Sequence, residues 1–213
     1  MPAEEPTTPE AVAGWIASAM RRADRFADVY DASERHRLEH GGECDVYPTG
    51  SGPLLGALAA STGAKRILEI GCGLGYSTLW LAHGARPDGT VDTCEGDPGH
   101  AALAVANISQ HALSDRIEIH IGRAAEVLAS LRGPYDFVFC DGDPGDYPAD
   151  LDQVLRLLRP GGTLLTSNLF LGIYVPDAPW LEQSAAYRET LLTHPQLQTA
   201  FLPRGMALSV RLR

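Results

Sequence analysis

Apolar strand-like segments and helix-like segments alternate along this chain from residue 65 onward, with short connections between them. Strands are expected at 66–70, 90–95, 116–122, 135–141 and 163–168. Helices are expected at 76–83, 98–111, 124–131, 147–158 and 179–193. Two final strand-like runs, 197–202 and 206–212, are joined by a short Pro-Arg-Gly turn typical of a hairpin. Such alternation favours a mainly parallel sheet covered by helices on both faces. We therefore predict a doubly wound α/β fold with a seven-stranded sheet, in which the hairpin makes one strand antiparallel.

The 213 residues, of which 45% are hydrophobic, suit a single domain with a substantial core. We predict that residues 1–52 form a helical and loop cap, with a helix over 10–29 and a polar loop over 39–52. The core is assigned to residues 53–213 and opens with a helix over 53–61. No apolar run approaches the ~18 residues of a membrane span, and the start of the chain lacks the basic and apolar stretches of a secretion signal. A cytoplasmic protein is expected.

The charge of the chain narrows the choice of partner. Its formal net charge is −10, and its 17 basic residues include one lysine, Lys65, and form no basic run. Nucleic acids and anionic membranes are bound through clustered Lys and Arg, so neither is an expected partner. A small-molecule substrate is the better expectation.

A glycine-rich turn, Gly71-x-Gly73-x-Gly75, joins the first predicted strand to the helix that opens at Tyr76. Glycines let the backbone approach a ligand closely, and the helix start offers unpaired N–H groups. A dinucleotide fingerprint needs a small residue where Tyr76 stands, so pyrophosphate fits poorly. Glu69, two residues before the first glycine, suits a cationic ligand, and S-adenosylmethionine carries both an ammonium and a sulfonium. Taken alone, the turn is equally consistent with a purely structural role.

The next two strands end in residues that suit a nucleoside. Glu95 closes the second strand, about twenty residues past the turn, where a carboxylate binds ribose hydroxyls. A solvated acid at a strand end is the alternative. Gly122, Arg123 and Ala124 follow the third strand, where backbone groups can meet an adenine edge. Arg123 is either a surface residue or a cation stacked on the base.

Three acids crowd the end of the fourth strand, in Asp141-Gly-Asp143-Pro-Gly-Asp146. Carboxylates this close repel one another unless a cation or hydrogen-bond donors compensate. Asp141 is the strongest candidate for a functional residue among the three, whereas Asp146 is also placed to cap the following helix. Asn168, at the end of the fifth strand, is either a turn residue or an oxygen ligand that completes a Mg²⁺ or Ca²⁺ site with Asp141.

The histidines and cysteines show no metal-binding spacing. His36 and His40 can share a helical face, but the acidic partner of an H-E-x-x-H motif is missing, and we interpret both as surface residues. His40 stays a candidate general base if the loop that follows it covers the site. The cysteines form no C-x-x-C pair and are expected to act as small apolar residues: Cys44, Cys72, Cys94 and Cys140.

With these residues the chain resembles the class I S-adenosylmethionine-dependent methyltransferases, and more narrowly the cation-dependent O-methyltransferases of the catechol and caffeoyl-CoA type. The resemblance spans residues 47–213 and is most specific in EIGCGLGYSTLWLA from Glu69, YDFVFCDGD from Tyr135, LLRPGGTLLTSN from Leu157 and GMALSV from Gly205. It implies a Rossmann-like methyltransferase fold, a cap that contributes to a homodimer, and cofactor contacts at Glu69, Gly71, Ser77, Glu95 and Ala124. It also places Asp141 and Asn168 at metal-binding positions and Asp143 at an acid near the cofactor.

Two positions depart from the family pattern. Ser167 stands where the family has a metal-binding aspartate, and a neutral hydroxyl weakens the binding of a hard dication. Pro144 stands where the family commonly has a lysine that deprotonates the acceptor hydroxyl. We therefore expect either a metal-independent enzyme, with His40 or Asp143 as base, or one that Mg²⁺ assists weakly through Asp141 and Asn168.

The leading hypothesis is an S-adenosylmethionine-dependent O-methyltransferase that acts on a small aromatic hydroxyl compound. Because of Ser167 and Pro144, a non-catalytic protein that kept the fold and the cofactor site is the alternative. A nucleotide-dependent oxidoreductase is a third possibility, against which Tyr76 already argues.

Overall fold

The computed structural model describes residues 7–41, 44, 46–203 and 205–213. Its helices are α1 (Pro9–Arg22), α2 (Ala27–Glu39), α3 (Gly52–Ser61), α4 (Tyr76–Gly84), α5 (Pro98–Ile108), α6 (Ala124–Ser130), α7 (Tyr147–Leu157) and α8 (Leu181–Thr193). Its strands are β1 (Arg66–Ile70), β2 (Thr90–Glu95), β3 (Ile117–Ile121), β4 (Tyr135–Cys140), β5 (Leu158–Thr166), β6 (Leu197–Leu202) and β7 (Met206–Arg211). No helix in the described ranges is long and apolar enough to cross a membrane.

The strands form one sheet in the order β3-β2-β1-β4-β5-β7-β6. Neighbours from β3 to β5 run parallel, whereas β7 pairs antiparallel with both β5 and β6. This arrangement confirms the predicted doubly wound, seven-stranded α/β fold with one reversed strand. The strand order reverses between β1 and β4, and in open parallel sheets such a switch point is where ligands bind.

Alternate residues of the strands serve two separate apolar cores. On one face Ile67 and Phe137 pack with residues from α2, α3, α4 and α5. On the other face Leu68 and Val138 pack with residues from α6, α7 and α8. Since side chains alternate along a strand, the continuous apolar runs of β1 and β4 are what burial on both faces requires.

The register of the central strands aligns their carboxyl ends. Ile70, the last residue of β1, pairs with Cys94 in β2 and with Cys140 in β4. The residues that follow, Glu95 on β2 and Asp141 after β4, therefore lie at the same edge of the sheet as the glycine turn.

The first predicted helix, over 10–29, is wrong in its extent, because the helix is interrupted between α1 and α2. At the break a carboxylate oxygen of Asp24 accepts the N–H of Phe26 at 3.0 Å, which competes with helical hydrogen bonding. The other oxygen accepts the Tyr76 hydroxyl at 2.8 Å. Phe26 is buried against the Trp80 ring, with the ring centroids 5.2 Å apart. The contacts of Asp24 with Tyr76 and of Phe26 with Trp80 thus anchor the cap to α4.

The fifth strand begins earlier than predicted. It starts at Leu158, directly after α7, instead of at residue 163. Leu158 pairs with Tyr135, and a register shift between Tyr135 and Phe137 accommodates the Pro-Gly-Gly sequence at 160–162 of the facing strand. The strand still ends beside Ser167 and Asn168, so the predicted placement of these residues is unaffected.

Candidate functional site

The turn after β1 adopts a backbone that suits glycine. Gly71, Gly73 and Gly75 have φ values of 93°, 51° and 92°, in the left-handed region. A Cβ at Gly71 would lie 2.6 Å from the carbonyl oxygen of Asp141, so the turn also lies tightly against the end of β4. At its far end α4 begins at Tyr76 and directs its unpaired N–H groups into the same region.

Glu69 is a fully buried carboxyl group just before this turn. Its Oε2 accepts hydrogen bonds from the hydroxyls of Thr78 and Thr93. Its Oε1 has no hydrogen-bond donor among the described residues. Burial raises the pKa of Glu69 to about 7, although neighbouring hydroxyls oppose the shift. A buried carboxyl with one oxygen that lacks a donor favours a nearby cation.

Glu95 is held at the end of β2 by backbone donors. One carboxylate oxygen accepts the N–H of Gly73 at 2.8 Å, and the other accepts the N–H of Asp97 at 3.0 Å. These bonds connect the carboxylate to the glycine turn and fix its orientation. The structure thus brings together the two elements that were predicted to hold the ends of one ligand.

The segment that was predicted to face an adenine lies next to Glu95. Gly122 donates its N–H to the carbonyl oxygen of Glu95 at 2.9 Å. Arg123 is exposed and precedes α6, and Ala124 is half-buried as the first residue of that helix. Ser77, another predicted contact, is buried in the first turn of α4. Gly122 is thus bonded to the strand end that carries Glu95, and Ser77 lies in the helix that follows the glycine turn.

A second group gathers around Asp141, just after β4. The hydroxyl of Ser167 and the side-chain amide of Asn168 both donate to Asp141 Oδ1, the amide at 2.9 Å. Removal from solvent raises the pKa of Asp141 to about 6. Asn168 has a φ of 62°, which is uncommon for a residue other than glycine and places its side chain beside the carboxylate.

This donor set fits a tightly bound Mg²⁺ poorly. The residues that were predicted to bind a metal are adjacent, but the group contains a single carboxylate, Asp141, whose Oδ1 already accepts two neutral donors. Asn168 presents an N–H to Asp141 instead of offering its oxygen beside it. Mg²⁺ and Ca²⁺ sites depend on several oxygen ligands, usually including more than one carboxylate or phosphate. The charge of Asp141 is instead balanced by hydrogen bonds from Ser167 and Asn168.

The loop after Asp141 is shaped by Asp143 and Pro144. Asp143 is exposed, and its Oδ1 accepts the N–H of Gly145 at 2.7 Å. The side chain thereby stabilises a turn in its own loop. Pro144 is buried. In this structure Asp143 therefore has a local role in the loop.

A cleft of about 700 Å³ opens beside Glu95. Its lining includes Asp97 and His100 from the sheet side and His36, His40 and Cys44 from the cap side. The structure groups His40 with the predicted ribose-binding carboxylate, whereas Asp141 is grouped with Ser167 and Asn168.

Sequence reasoning overlooked Thr78, Thr93 and the approach of Cys44 to the two histidines. Thr93 lies directly opposite Glu69 in the pairing of β1 with β2, so a register assignment would have revealed it. Thr78 belongs to the first turn of α4 and has no such signal in the sequence.

The comparisons with known proteins agree with this geometry. The model of a family described as O-methyltransferase matches residues 37–211. A protein of Mycobacterium sp. (strain JLS) that carries an O-methyltransferase name is 36% identical over 192 residues, which cover 87% of this chain and 87% of that protein. A catechol O-methyltransferase of Mycobacterium tuberculosis is 40% identical over 122 residues, which cover 57% of this chain and 56% of that protein.

Among solved structures, the O-methyltransferase TomG from Streptomyces achromogenes, in complex with S-adenosylmethionine, is similar with a TM-score of 0.74 and 27% identity. The similarity covers 87% of this chain and 90% of TomG. The family model spans well over half of the chain, and the strain JLS relative matches most of its length. This chain therefore belongs to the O-methyltransferase family.

Proposed function

We propose that this protein transfers a methyl group from S-adenosylmethionine to the hydroxyl oxygen of a small aromatic compound, without a tightly bound metal. The observation that carries the proposal is the hydrogen bond that joins the glycine turn at Gly73 to Glu95, with the buried carboxyl of Glu69 two residues before that turn. The complex of TomG with S-adenosylmethionine supports the choice of donor. The name of the Mycobacterium tuberculosis relative supports an aromatic hydroxyl acceptor.

The glycine turn and the two strand-end carboxylates form the donor half of the site. S-adenosylmethionine supplies a methyl group that its sulfonium already activates for in-line transfer. The buried carboxyl of Glu69, whose Oε1 lacks a donor among the described residues, attracts the ammonium group, and Glu95 is oriented to accept from the ribose hydroxyls. We assign the adenine to Arg123 and Ala124, at the start of α6. Positioning of this kind can remove several kcal/mol, up to ~7 to 11, from the barrier.

Asp141 is the best-placed group to remove the proton of the acceptor. Its pKa of about 6 leaves it mostly ionised at neutral pH and close to the value that general bases need. The donors on Oδ1 fix the orientation of the carboxylate. Asp143 is exposed and engaged with Gly145, and His40 lines the cleft beside Glu95, whose lining does not include Asp141, so both are weaker candidates.

A transfer assay tests this proposal. The protein is incubated with S-adenosylmethionine that carries a deuterated methyl group and with a panel of catechols and phenols, in EDTA or in Mg²⁺, and products are identified by mass. Labelled methyl ethers are expected in EDTA. Asp141→Asn should lower turnover at least about 100-fold, the usual contribution of a general base. Asp146→Asn, an exposed acid on the same loop, serves as the matched control.

Pro144 stands where the family commonly has a lysine, and Ser167 stands where it has a second carboxylate. These two departures favour a second function, that of a non-catalytic cofactor-binding protein. Binding of S-adenosylmethionine without turnover of any acceptor, in EDTA or Mg²⁺, would support this alternative. Turnover of a single acceptor that depends on Asp141 excludes it.

A homodimer is also part of the proposal. Helix α1 buries none of its residues, and Val12, Trp15 and Ile16 form an exposed apolar stripe at helical spacing. Such a face suits a second copy of the chain. Light scattering after size-exclusion chromatography should give twice the chain mass, and Trp15→Glu should give the monomer. A monomeric wild-type protein would contradict the dimer without affecting the methyl-transfer proposal.

A further inference from the structure

Three groups with metal-binding side chains converge where the cap meets the cleft. His36 lies in the last turn of α2, His40 is the C-cap residue of that helix, four positions further on, and Cys44 follows. One ligand atom from each residue lies within 4.8 Å of the other two. None of the three belongs to the group around Asp141.

Each of the two imidazoles has a nitrogen that can bind a ligand. Nε2 of His36 is buried and has no hydrogen-bond partner among the described residues, an arrangement that costs free energy unless something binds there. Nδ1 of His40 lies 2.8 Å from the carbonyl oxygen of His36. Since a carbonyl only accepts, Nδ1 donates and Nε2 of His40 keeps its lone pair. Metal-binding histidines are commonly oriented by this kind of backbone contact.

The donor types define the class of ion. Two imidazoles and a thiol are the ligands of Zn²⁺ and similar borderline metals, whereas Mg²⁺ and Ca²⁺ require oxygen ligands. Metal–ligand distances of about 2.0 to 2.3 Å place tetrahedral ligands roughly 3.3 to 3.7 Å apart, so small side-chain movements would close the observed group around an ion.

The surroundings favour a cation and leave a fourth position. The carboxylates of Glu95 and Asp97 line the same cleft as the three ligands. The His100 ring lies 5.1 Å from the His36 ring, measured between centroids. The fourth position therefore faces the cleft, where water or His100 can occupy it.

We propose that His36, His40 and Cys44 form a binding site for a borderline transition-metal ion of the Zn²⁺ type, located between the cap and the cleft beside Glu95. The site is distinct from the group around Asp141 in its ligands and its metal class, and it shares the cleft beside Glu95 with the proposed cofactor site. It gives a shared role to His36 and His40, which were interpreted from the sequence as surface residues.

A second group of potential ligands does not support an equivalent proposal. His120 Nε2 lies 3.0 Å from Asp92 Oδ1, and Asp92 Oδ2 accepts the Tyr135 hydroxyl at 2.7 Å. These side chains already satisfy one another. His120 is therefore a matched control for the histidines of the proposed site.

Cobalt titration tests the site in the full-length protein, kept reduced with a phosphine so that no added thiol competes. With Co²⁺ we expect a thiolate-to-cobalt charge-transfer band in the near ultraviolet, intense visible bands typical of tetrahedral coordination, and saturation at one ion per chain. Stoichiometric Zn²⁺ should abolish the spectrum. Cys44→Ser should remove the charge-transfer band, and His40→Ala should weaken Zn²⁺ binding more than about tenfold, since even loss of an outer-shell partner costs that much.

His120→Ala and Asp141→Asn should leave the cobalt spectrum unchanged, and circular dichroism shows whether each variant is folded. Absence of the charge-transfer band in the wild-type protein would overturn the proposal. Persistence of the band in Cys44→Ser would also overturn it, since another cysteine would then be the ligand. Neither result depends on whether the protein binds S-adenosylmethionine.

Discussion

Replacing Ser167 with aspartate should convert a hydrogen-bonded site into a metal-dependent one. The Ser167 hydroxyl donates to Asp141, and Ser167→Asp would substitute a second carboxylate for this donor. Loss of a hydrogen bond to a charged group costs ~1.5 to 3 kcal/mol. Two carboxylates about 4 Å apart repel by ~4 kcal/mol at an effective dielectric of about 20. Because one of them can take up a proton, we expect a net loss of ~2 to 4 kcal/mol at neutral pH in EDTA.

Thermal unfolding measures this loss directly. For a chain of this length, each kcal/mol shifts Tm by about 2 to 4 °C, so Ser167→Asp should melt ~5 to 15 °C below the wild type in EDTA. Mg²⁺ at about 100 times its Kd should restore ~2.7 kcal/mol to the variant and leave the wild type unchanged. Ser167→Ala is the matched control, since it removes the donor without adding charge and should not respond to Mg²⁺. A Ser167→Asp variant with wild-type Tm and no response to Mg²⁺ would refute this reasoning.

Three further outcomes are expected. The folded-state pKa of Glu69 is raised from 4.5 to about 7, so its contribution to stability is present at acid pH and is lost as the pH rises toward 7; Glu69→Gln should flatten this slope in denaturant titrations between pH 5 and 8. In the wild type kcat/KM should fall about tenfold per pH unit below pH 6, where Asp141 becomes protonated; a profile that is flat down to pH 5 would contradict its role as base. Gly71→Ala should cost ~1 to 3 kcal/mol or more in unfolding free energy, because the Cβ would lie 2.6 Å from the Asp141 carbonyl oxygen at a φ of 93°. Gly14→Ala, with nothing within 4 Å in α1, should be neutral or slightly stabilising and serves as its control.

Much of the fold could be predicted from the sequence because its signals are local. The apolar runs, the glycine turn and the final hairpin each identify an element without reference to distant residues. Once the strands are parallel, their register brings Gly71, Glu95 and Asp141 to one edge. That part of the site was accessible from sequence alone.

What could not be predicted depends on contacts between distant segments. The break between α1 and α2 rests on the Asp24 contact with Tyr76, which is 52 residues away in the sequence. The meeting of Cys44 with His36 and His40 depends on the path of the chain after α2. The hydrogen bonds that Asp141 accepts from the end of β5 likewise require the three-dimensional arrangement.

Calorimetric titration with S-adenosylmethionine tests the proposed function most directly, since every role assigned to the glycine turn assumes this ligand. We expect one molecule bound per chain, and binding at least about tenfold weaker in Glu95→Ala, because one lost hydrogen bond to a charged group is worth ~1.5 kcal/mol or more. No heat of binding by the folded wild-type protein at millimolar cofactor would contradict the proposal that this chain is an S-adenosylmethionine-dependent methyltransferase.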